Sequence, residues 1–351
     1  MPVDKVLLAS PRGFCAGVEM AIKALTWMVR VFEPPVYCYH EIVHNRIVVD
    51  RFRRLGVVFV DDVAEVPSGA PLMLSAHGSA PEVVAAARAN GGVVVDAVCP
   101  LVTKVHHEVK VRTGKGYRVI YVGHHGHDEA VGTMAVAPEA VHLVETEADV
   151  HALDLEADEP VAFLAQTTLS MDDWSGVRDA AAGRFPGMWT PGRSDLCFAT
   201  TNRQTALKAI AARSDALVVI GSANSSNTRA LENVARSLCP VVMRVNGADE
   251  VPAGLSGTVG VTAGASAPEE LVRSVIDRLA PAGGVELVEI TDEDEYFPPP
   301  RELRDLLRAA VVAVSASLFV PGDPAAPLAD DRTVLASAVL DDLGQGRPAG
   351  G

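Results

Sequence analysis

Short Val-rich segments alternate with helical stretches along most of this chain of 351 residues. The apolar segments are brief and bounded by Gly or Pro, which is typical of buried β-strands. Right-handed crossovers between parallel strands place helices on the faces of a sheet, so the alternation predicts an α/β protein with mostly parallel sheets. The predicted strands are VDKVLLAS, GVVFV, APLMLSAH, GGVVVDAV, YRVIYVGH, PVAFLAQ, ALVVIGSA, PVVMRV and GTVGVTAG, with helices such as 18–31, 81–90, 101–112, 201–213 and 227–238.

One pattern recurs three times: an apolar strand, then a cysteine, then a helix. The cysteines are Cys15, Cys99 and Cys197, which lie 84 and 98 residues apart. Each is followed by two polar loops, the first 28 or 29 residues on and the second 62 to 69 residues on. A pseudo-threefold arrangement would bring these strand ends to one centre, where open α/β sheets bind ligands. The loop residues at these offsets are His44, His77, His127, Thr167, Ser225 and Ser266.

The recurrence predicts three pseudo-repeated α/β lobes followed by a C-terminal extension. We expect the lobes to comprise residues 15–98, 99–196 and 197–304, the last together with 1–14. The extension, 305–351, is predicted to be partly disordered, with a helix at 306–320, a linker, a short helix at 332–343 and a disordered end, GQGRPAGG. No role is assigned to it.

The cysteine pattern argues against a disulfide framework and against the common zinc-binding and redox motifs. Five cysteines is an odd number, and no CxxC pair occurs in the sequence. We interpret Cys38 and Cys239 as small buried hydrophobic residues. The other three immediately precede helices, whose N-termini stabilise thiolates. Three convergent thiolates fit either zinc with a histidine or an iron–sulfur cluster with one iron left open.

The remaining polar loops predict an anion site and a proton donor. His44, His77, Ser225, Asn227 and Ser266 are small hydrogen-bond donors, most of them just before a helix, which favours a phosphate or diphosphate over a sugar. The alternative is that they are only helix caps and turn residues.

His127 and Glu129 form a His–carboxylate pair in the loop GHHGHDE, and Glu129 is a candidate proton source. Its alternative role is that of a carboxylate in the first turn of a helix. His124 and His125 in the same loop are interpreted as a solvated pair.

Charge and hydropathy exclude several classes of protein. Lys and Arg total 30 against 45 Asp and Glu, a net charge of −15, which is unfavourable for binding nucleic acid. No segment reaches the roughly 18 consecutive apolar residues of a membrane span. The first residues, MPVDKVLLAS, lack the basic start and cleavable apolar stretch of a signal peptide. We therefore expect a cytoplasmic protein that does not associate with membranes.

Nine segments, in order from about residue 5 to residue 304, resemble the 4-hydroxy-3-methylbut-2-enyl diphosphate reductase family. They are PRGFCAGVEMAI, HEIVHNRIVVD, SAHGSAPEV, DAVCPLVTKVHHEV, GHHGHDEAVGTM, AQTTLSMDD, CFATTNRQTAL, GSANSSNT and VTAGASAPEELV. The resemblance implies a three-lobed α/β trefoil around a central [4Fe-4S] cluster that three cysteines hold and that has one open iron. By motif these cysteines are Cys15, Cys99 and Cys197.

The resemblance also implies a reaction and a set of site residues. The reaction is the reductive dehydroxylation that ends the methylerythritol phosphate route to isoprenoids, yielding isopentenyl and dimethylallyl diphosphates. Glu129 matches the proton source, and Thr167 matches the position near the substrate hydroxyl. The electrons are expected from a partner protein of ferredoxin or flavodoxin type. The residues matching the diphosphate pocket are His44, His77, His127, Ser225, Ser226, Asn227 and Ser266.

The sequence departs from the family pattern at a few positions. Val98 stands where Thr is common, Phe198 where Tyr is frequent, and His125 and Asp128 replace smaller residues or Pro. None of these matches a ligand, so the implied activity is unaffected. The rival hypotheses are a zinc- or thiolate-based hydrolase of a phosphorylated metabolite and a non-catalytic iron–sulfur sensor, in which Glu129 would have no purpose.

Overall fold

The computed structural model describes residues 3–192, 194–318 and 322–346, and it confirms a mixed α/β fold with parallel sheets. The strands are β1 (Val3–Ser10), β2 (Val36–Tyr39), β3 (Val57–Val60), β4 (Leu72–Leu74), β5 (Val94–Asp96), β6 (Arg118–Val122), β7 (Val141–Val144), β8 (Val161–Ala165), β9 (Ala216–Ile220), β10 (Val242–Val245), β11 (Gly257–Ala263) and β12 (Val285–Glu289). The helices are α1 (Ala16–Val31), α2 (Arg46–Arg54), α3 (Pro81–Ala89), α4 (Pro100–Thr113), α5 (Asp128–Met134), α6 (Glu147–Ala152), α7 (Met171–Arg184), α8 (Phe198–Ala211), α9 (Ser226–Leu238), α10 (Glu269–Leu279), α11 (Arg301–Leu318) and α12 (Ala336–Gly346).

The described strands form three sheets in which every pair of neighbours is parallel. Their strand orders are β10-β9-β11-β1-β12, β3-β2-β4-β5 and β7-β6-β8. The first strand of the chain lies inside the largest sheet, where Val6 is opposite Val259 on one side and Val285 on the other. The pairing of β1 with β11 and β12, which come much later in the chain, therefore fixes the segment that leads into Cys15.

By its internal contacts the chain divides into two compact units. The first unit comprises Met1–Cys15, Ser79–Pro81 and Pro100–Asp294, and it contains the five-stranded and three-stranded sheets. The second unit comprises Ala16–Gly78, Glu82–Cys99 and Glu295–Gly351, and it contains the four-stranded sheet. The boundaries of the three lobes stay a prediction.

Aliphatic side chains bury both faces of these sheets, as parallel sheets require. In the first unit, Leu217 and Val219 of β9 pack with Leu207 and Leu231 of α8 and α9, and Phe163 of β8 packs with Val177 of α7. In the second unit, Leu72 and Leu74 pack with Ala87 of α3. The helix that follows Cys197, α8, is thus held against its sheet by ordinary hydrophobic packing.

The sequence pattern missed three strands, β2, β7 and β12. The first two are only four residues long, and β12 alternates exposed and half-buried positions at the edge of its sheet. Such segments lack the continuous Val-rich run that identified the others. Most predicted strands also end earlier than expected. For example, the predicted strand APLMLSAH contains only the three residues of β4. The residues after each strand lie in the loops that contain the candidate site residues.

The described residues of the C-terminal extension, 305–318 and 322–346, belong to the second unit. α11 begins earlier than the predicted helix, at Arg301, and buries Leu303 and Leu307; residues 319 and 320 of that prediction lie outside the described residues. α12 packs against α1 and includes Gly344–Gly346, where a disordered end was expected; residues 347–351 lie outside the described part. Nowhere in the described ranges is a helix long and apolar enough to cross a membrane.

Polar contacts fix the extension on α1. The Lys23 ammonium is buried and donates to the backbone oxygen of Asp331 at 2.7 Å. The Asp331 carboxylate accepts a hydrogen bond from the Tyr296 hydroxyl at 2.9 Å, and the Glu19 carboxylate accepts one from the Ala336 N–H at 2.6 Å. A buried charge with such partners requires one arrangement of the chain, so the extension belongs to the folded core of this unit.

We therefore expect Leu340→Ala to destabilise the protein. Leu340 is 2% exposed on α12, whereas Leu335, just before the same helix, is 60% exposed. Truncating a buried leucine costs about 2–5 kcal/mol, because it removes apolar contact and leaves a cavity. Urea unfolding should show a loss of this size for Leu340→Ala and less than about 0.5 kcal/mol for the control, Leu335→Ala. Equal losses in the two variants would contradict the packing described here.

Candidate active site

Glu129 and Thr167 are in direct contact inside the first unit. Glu129 lies in the first turn of α5 and is 2% exposed, and Thr167 follows β8. The Thr167 N–H donates to one carboxylate oxygen at 2.7 Å, and its hydroxyl lies 3.0 Å from the other. Both oxygens of the acid are therefore held by one residue, which fixes the orientation of the carboxyl group.

The environment of Glu129 favours its protonated form. Burial raises the pKa of the Glu129 carboxyl to about 7, the hydrogen bonds from Thr167 oppose this rise, and the nearby Asp195 adds to it. Asp195 is itself buried, and burial raises the pKa of its carboxyl to about 6 despite the neighbouring Lys104. A carboxylic acid with a pKa near neutrality is suited to donate and recover a proton.

His127 is the N-cap of α5, and its tautomer follows from its hydrogen bond. The ring Nδ1 accepts from the backbone N–H of Glu129 at 3.2 Å. In the neutral ring this places the proton on Nε2, which makes that nitrogen a donor. The predicted role of His127 as an anion ligand requires such a donor.

Cys15 and Cys197 belong to the first unit, and each directly precedes a helix. Cys197 is the N-cap of α8: its Sγ accepts from the Thr200 N–H at 3.2 Å and lies 3.0 Å from the Thr200 hydroxyl. Burial and the nearby Cys15 together raise the pKa of the Cys197 thiol to about 11. The Cys197 thiol therefore loses its proton readily only when positive charge is supplied, which is the behaviour of a metal ligand.

The start of α9 is lined with neutral donors. Ser225 is its N-cap, accepting from the Thr228 N–H at 3.3 Å, and its hydroxyl lies 3.5 Å from that of Ser266. Ser226 and Asn227 form the first turn, and all four side chains are buried. The capping role proposed as the alternative for Ser225 is therefore real, but it uses only a lone pair of the hydroxyl. This cap does not use the hydroxyl proton, and a helix N-terminus is a favourable place for an anion.

Two glycines allow α9 to begin this close to the sheet. A Cβ at Gly221 would lie 2.4 Å from the Thr228 hydroxyl oxygen, and one at Gly264 would lie 2.1 Å from the same atom. Gly221 also has φ of +148°, in the region that favours glycine. The residues after β9 and β11 therefore approach the first turn of α9 more closely than side chains would permit.

Hydrogen bonds connect these groups within the first unit. The Cys197 N–H donates to the Thr167 carbonyl at 3.0 Å. The Asn227 amide donates to the Thr200 hydroxyl at 3.4 Å and accepts from the Ala265 N–H at 2.8 Å. The Ala265 carbonyl in turn accepts from the Cys15 N–H at 3.2 Å. The acid, the two thiols and the start of α9 thus belong to one network.

The second unit holds the other predicted site residues. The rings of His44 and His77 are stacked with their centroids 4.0 Å apart, and both are half-buried. His44 precedes Asn45, the N-cap of α2, and its Nδ1 is 3.6 Å from a Glu41 carboxylate oxygen. The Cys99 N–H donates to the Ala76 carbonyl at 3.1 Å, which holds the loop of Cys99 beside that of His77.

Two site residues differ from the expectations from sequence: Gln166 was not predicted, and His124 was expected to be solvated. Gln166 is fully buried; it donates to the Ser226 hydroxyl at 3.1 Å and accepts from the His124 N–H at 2.9 Å. The His124 ring lies 3.5 Å from the same hydroxyl and is half-buried, so the expectation of a solvated pair is wrong for His124, while His125 is exposed. The only signal for Gln166 was its place at the end of a predicted strand.

Together these observations define an α/β protein in which a buried acid, a pair of thiols and a pocket of neutral donors lie in one unit. Such a set is suited to bind a soft metal centre and an anion and to supply a proton.

Comparison with known proteins identifies the family. The family model described as LytB protein matches residues 6–280. The chain belongs to the LytB family.

Relatives with similar sequences, and a solved structure with a similar fold, are named as diphosphate reductases. A 4-hydroxy-3-methylbut-2-enyl diphosphate reductase of Rhodopirellula baltica is 48% identical over 305 residues, covering 86% of this chain and 96% of the relative. The enzyme of that name from Phenylobacterium zucineum is 48% identical over 308 residues, covering 86% and 98%. The solved structure of the E-1-hydroxy-2-methyl-but-2-enyl-4-diphosphate reductase from Plasmodium falciparum superposes with a TM-score of 0.85 at 32% identity, covering 88% of this chain and 99% of that one.

Proposed function

We propose that the protein is a 4-hydroxy-3-methylbut-2-enyl diphosphate reductase. The observation on which this rests is the contact of the buried Glu129 carboxyl with Thr167, whose carbonyl accepts the N–H of Cys197. This supports the proposal because a proton donor is linked, through Thr167, to the backbone of a cysteine that is predicted to hold a redox centre. The reaction needs both, since it consumes two electrons and two protons and releases the substrate hydroxyl as water.

We infer that Cys15, Cys99 and Cys197 hold an iron–sulfur cluster. Cys15 and Cys197 fit this role because they are neighbouring thiols at the starts of α1 and α8, and Cys99 directly precedes α4. Thiolates are the usual ligands of iron–sulfur clusters. When bound, a [4Fe-4S] cluster with three protein ligands supplies the electrons and, at its open iron, a Lewis acid for the substrate oxygen.

The protein's own groups account for the proton. The Thr167 hydroxyl donates to the Glu129 carboxylate at 3.0 Å. When the carboxyl is protonated, its proton can cross this contact to the Thr167 oxygen while the Thr167 hydroxyl passes its own proton to the departing hydroxyl of the substrate. The allylic C–O bond breaks, the hydroxyl leaves as water, and two electrons from the partner protein enter the carbon skeleton. A second proton, passed on after Glu129 is protonated again, is added to carbon and completes the alkenyl diphosphate. Because Glu129 is buried, this proton is delivered without opening the site to bulk water.

The diphosphate is assigned to neutral donors. In the first unit these are Ser225, Ser226, Asn227, Ser266 and the Nε2–H of His127, and in the second His44 and His77. Helix N-termini with hydroxyl and amide donors bind phosphate without Lys or Arg, so the negative net charge of the chain is no obstacle. We assign the electron supply to a small partner protein of ferredoxin or flavodoxin type, since the sequence has no flavin or nucleotide fingerprint.

Turnover should fall as the pH rises through about 7. The raised pKa of Glu129, about 7, means that the acid is protonated below this pH and loses its donor form above it. Above this pH the logarithm of the rate at saturating substrate should therefore fall by one unit per pH unit, as expected for the loss of one proton. The rate is measured with a reduced dye whose potential is held constant. In Glu129→Gln the residual rate should not show this decline, and a decline that persists would assign the ionisation to another group.

The proposed function is tested by the metal content and visible spectrum of anaerobically purified protein. We expect a brown protein with about three or four iron atoms per chain. A colourless protein that contains zinc would instead support a hydrolase of a phosphorylated metabolite and would overturn the proposal.

A further inference from the structure

Arg203 is a buried arginine to which the reaction assigns no role. It lies on α8, six positions after Cys197, and its exposed fraction is 0%. A buried guanidinium is costly unless its charge and every N–H group are paired. Its partners therefore show what the residue is placed to hold.

One side of the guanidinium binds the backbone that leads into Cys15. Nε and Nη2 both donate to the Gly13 carbonyl, at 3.0 and 2.8 Å, and Nη2 donates also to the Phe14 carbonyl at 3.2 Å. Gly13 has φ of +67°, and its N–H donates to the Ala263 carbonyl at 3.2 Å. The turn before Cys15 is thus held between β11 and Arg203.

The other side supplies the balancing charge and the anchor to α8. Nη1 donates to the Ala199 carbonyl at 2.9 Å and to both carboxylate oxygens of Glu293, at 2.9 and 3.0 Å. The Asn202 amide donates to Glu293 at 3.0 Å, which fixes the carboxylate. Every N–H of the guanidinium is used, so Arg203 has no donor left for a substrate.

We infer that Arg203 is a positioning residue that sets the spacing of the Cys15 and Cys197 thiols, so that the pair is ready to bind metal. It holds the two residues before one cysteine to the helix that the other cysteine caps. The planar, rigid fork of arginine suits this task, whereas the ammonium of lysine is a point charge on a flexible chain. The inference rests on the proposed function in that it takes both thiols as metal ligands.

The test is a cadmium titration of the full-length, metal-free protein, followed by the sulfur-to-metal absorption in the ultraviolet. Arg203→Lys should raise the Kd for cadmium about 10-fold, because groups that orient metal ligands typically contribute this much. The titration does not depend on iron or turnover, so its failure is distinguishable from failure of the proposed function. Cys15→Ser identifies the part of the signal that belongs to the pair.

Arg184→Lys is the matched control. Arg184 on α7 likewise binds three backbone carbonyls, those of Val150, Leu153 and Leu155, but it contacts no site residue. It should lower the unfolding temperature without changing the Kd. If Arg203→Lys does not fold, Glu293→Gln replaces it and should weaken cadmium binding in the same direction by a smaller factor. A wild-type Kd in the folded variant, or an equal rise in Arg184→Lys, would overturn the inference.

Discussion

Glu129→Gln is expected to lower turnover by at least ~100-fold, because general acid catalysis typically contributes ~10²–10⁴-fold. Glutamine keeps the size of the side chain and its contacts with Thr167 but has no acidic proton. The metal content and the substrate affinity should change little, since Glu129 contacts neither a thiol nor the donors at the start of α9 in the first unit. Single-turnover and steady-state rates with a reduced dye, together with substrate Kd, measure both parts of this expectation.

Glu147→Gln is a suitable control for this variant. Glu147 is also an acid in the first turn of a short helix, α6, but it is exposed. Replacement of Glu147 should leave turnover unchanged. His44→Ala should have the opposite effect to Glu129→Gln, because it should weaken substrate binding more than it lowers turnover. A near-wild-type rate in Glu129→Gln would mean that Glu129 is only a carboxylate at the start of a helix and that another group is the proton source.

Replacement of Cys15, Cys99 or Cys197 by serine is expected to abolish cluster binding and turnover. Serine has nearly the same shape, but its hydroxyl is a poor ligand for iron in a site built for soft thiolates. Iron and sulfide analysis, with the visible spectrum of protein purified without oxygen, measures this loss. Unfolding temperatures of the metal-free forms should stay close to that of the wild type, which separates lost ligation from misfolding.

Cys38 and Cys239 provide internal controls for this series. Both are buried, and burial raises the pKa of the Cys38 thiol far above its ordinary value. Serine at either position should leave the iron content intact. The ligand assignment is wrong if Cys38→Ser loses its iron while Cys15→Ser retains it.

Local patterns were sufficient for the fold class and for the loops that follow the strands. A Val-rich run indicates a buried parallel strand regardless of which strands it pairs with. β1, β9 and β11 could therefore each be predicted from their own residues. β2 (VYCY) and β7 (VHLV) were not, because Tyr and Cys in one and His in the other interrupt the Val-rich run. Their pairing with neighbouring strands stabilises them, and sequence alone does not record it.

The chemistry of the site depends on contacts between distant residues. The raised pKa of Glu129 comes from burial and from Asp195, and its geometry comes from Thr167, 38 residues away. Arg203 meets Gly13 across 190 residues, so the NRQ segment gave no sign of its role. The buried Lys23 likewise donates to a backbone oxygen, that of Asp331, which lies 308 residues away in the C-terminal extension. Residue types and spacing predict which groups are available, but burial decides their protonation and pairing.

The proposed reaction is tested most directly by product analysis. Anaerobic, iron-loaded protein is incubated with 4-hydroxy-3-methylbut-2-enyl diphosphate and a reduced dye, and the products are separated by chromatography and identified by mass. We expect that the substrate disappears, that isopentenyl and dimethylallyl diphosphates appear, and that two electrons are consumed for each molecule converted. Intact substrate in the presence of a reducible cluster, or release of inorganic phosphate without electron consumption, would contradict it.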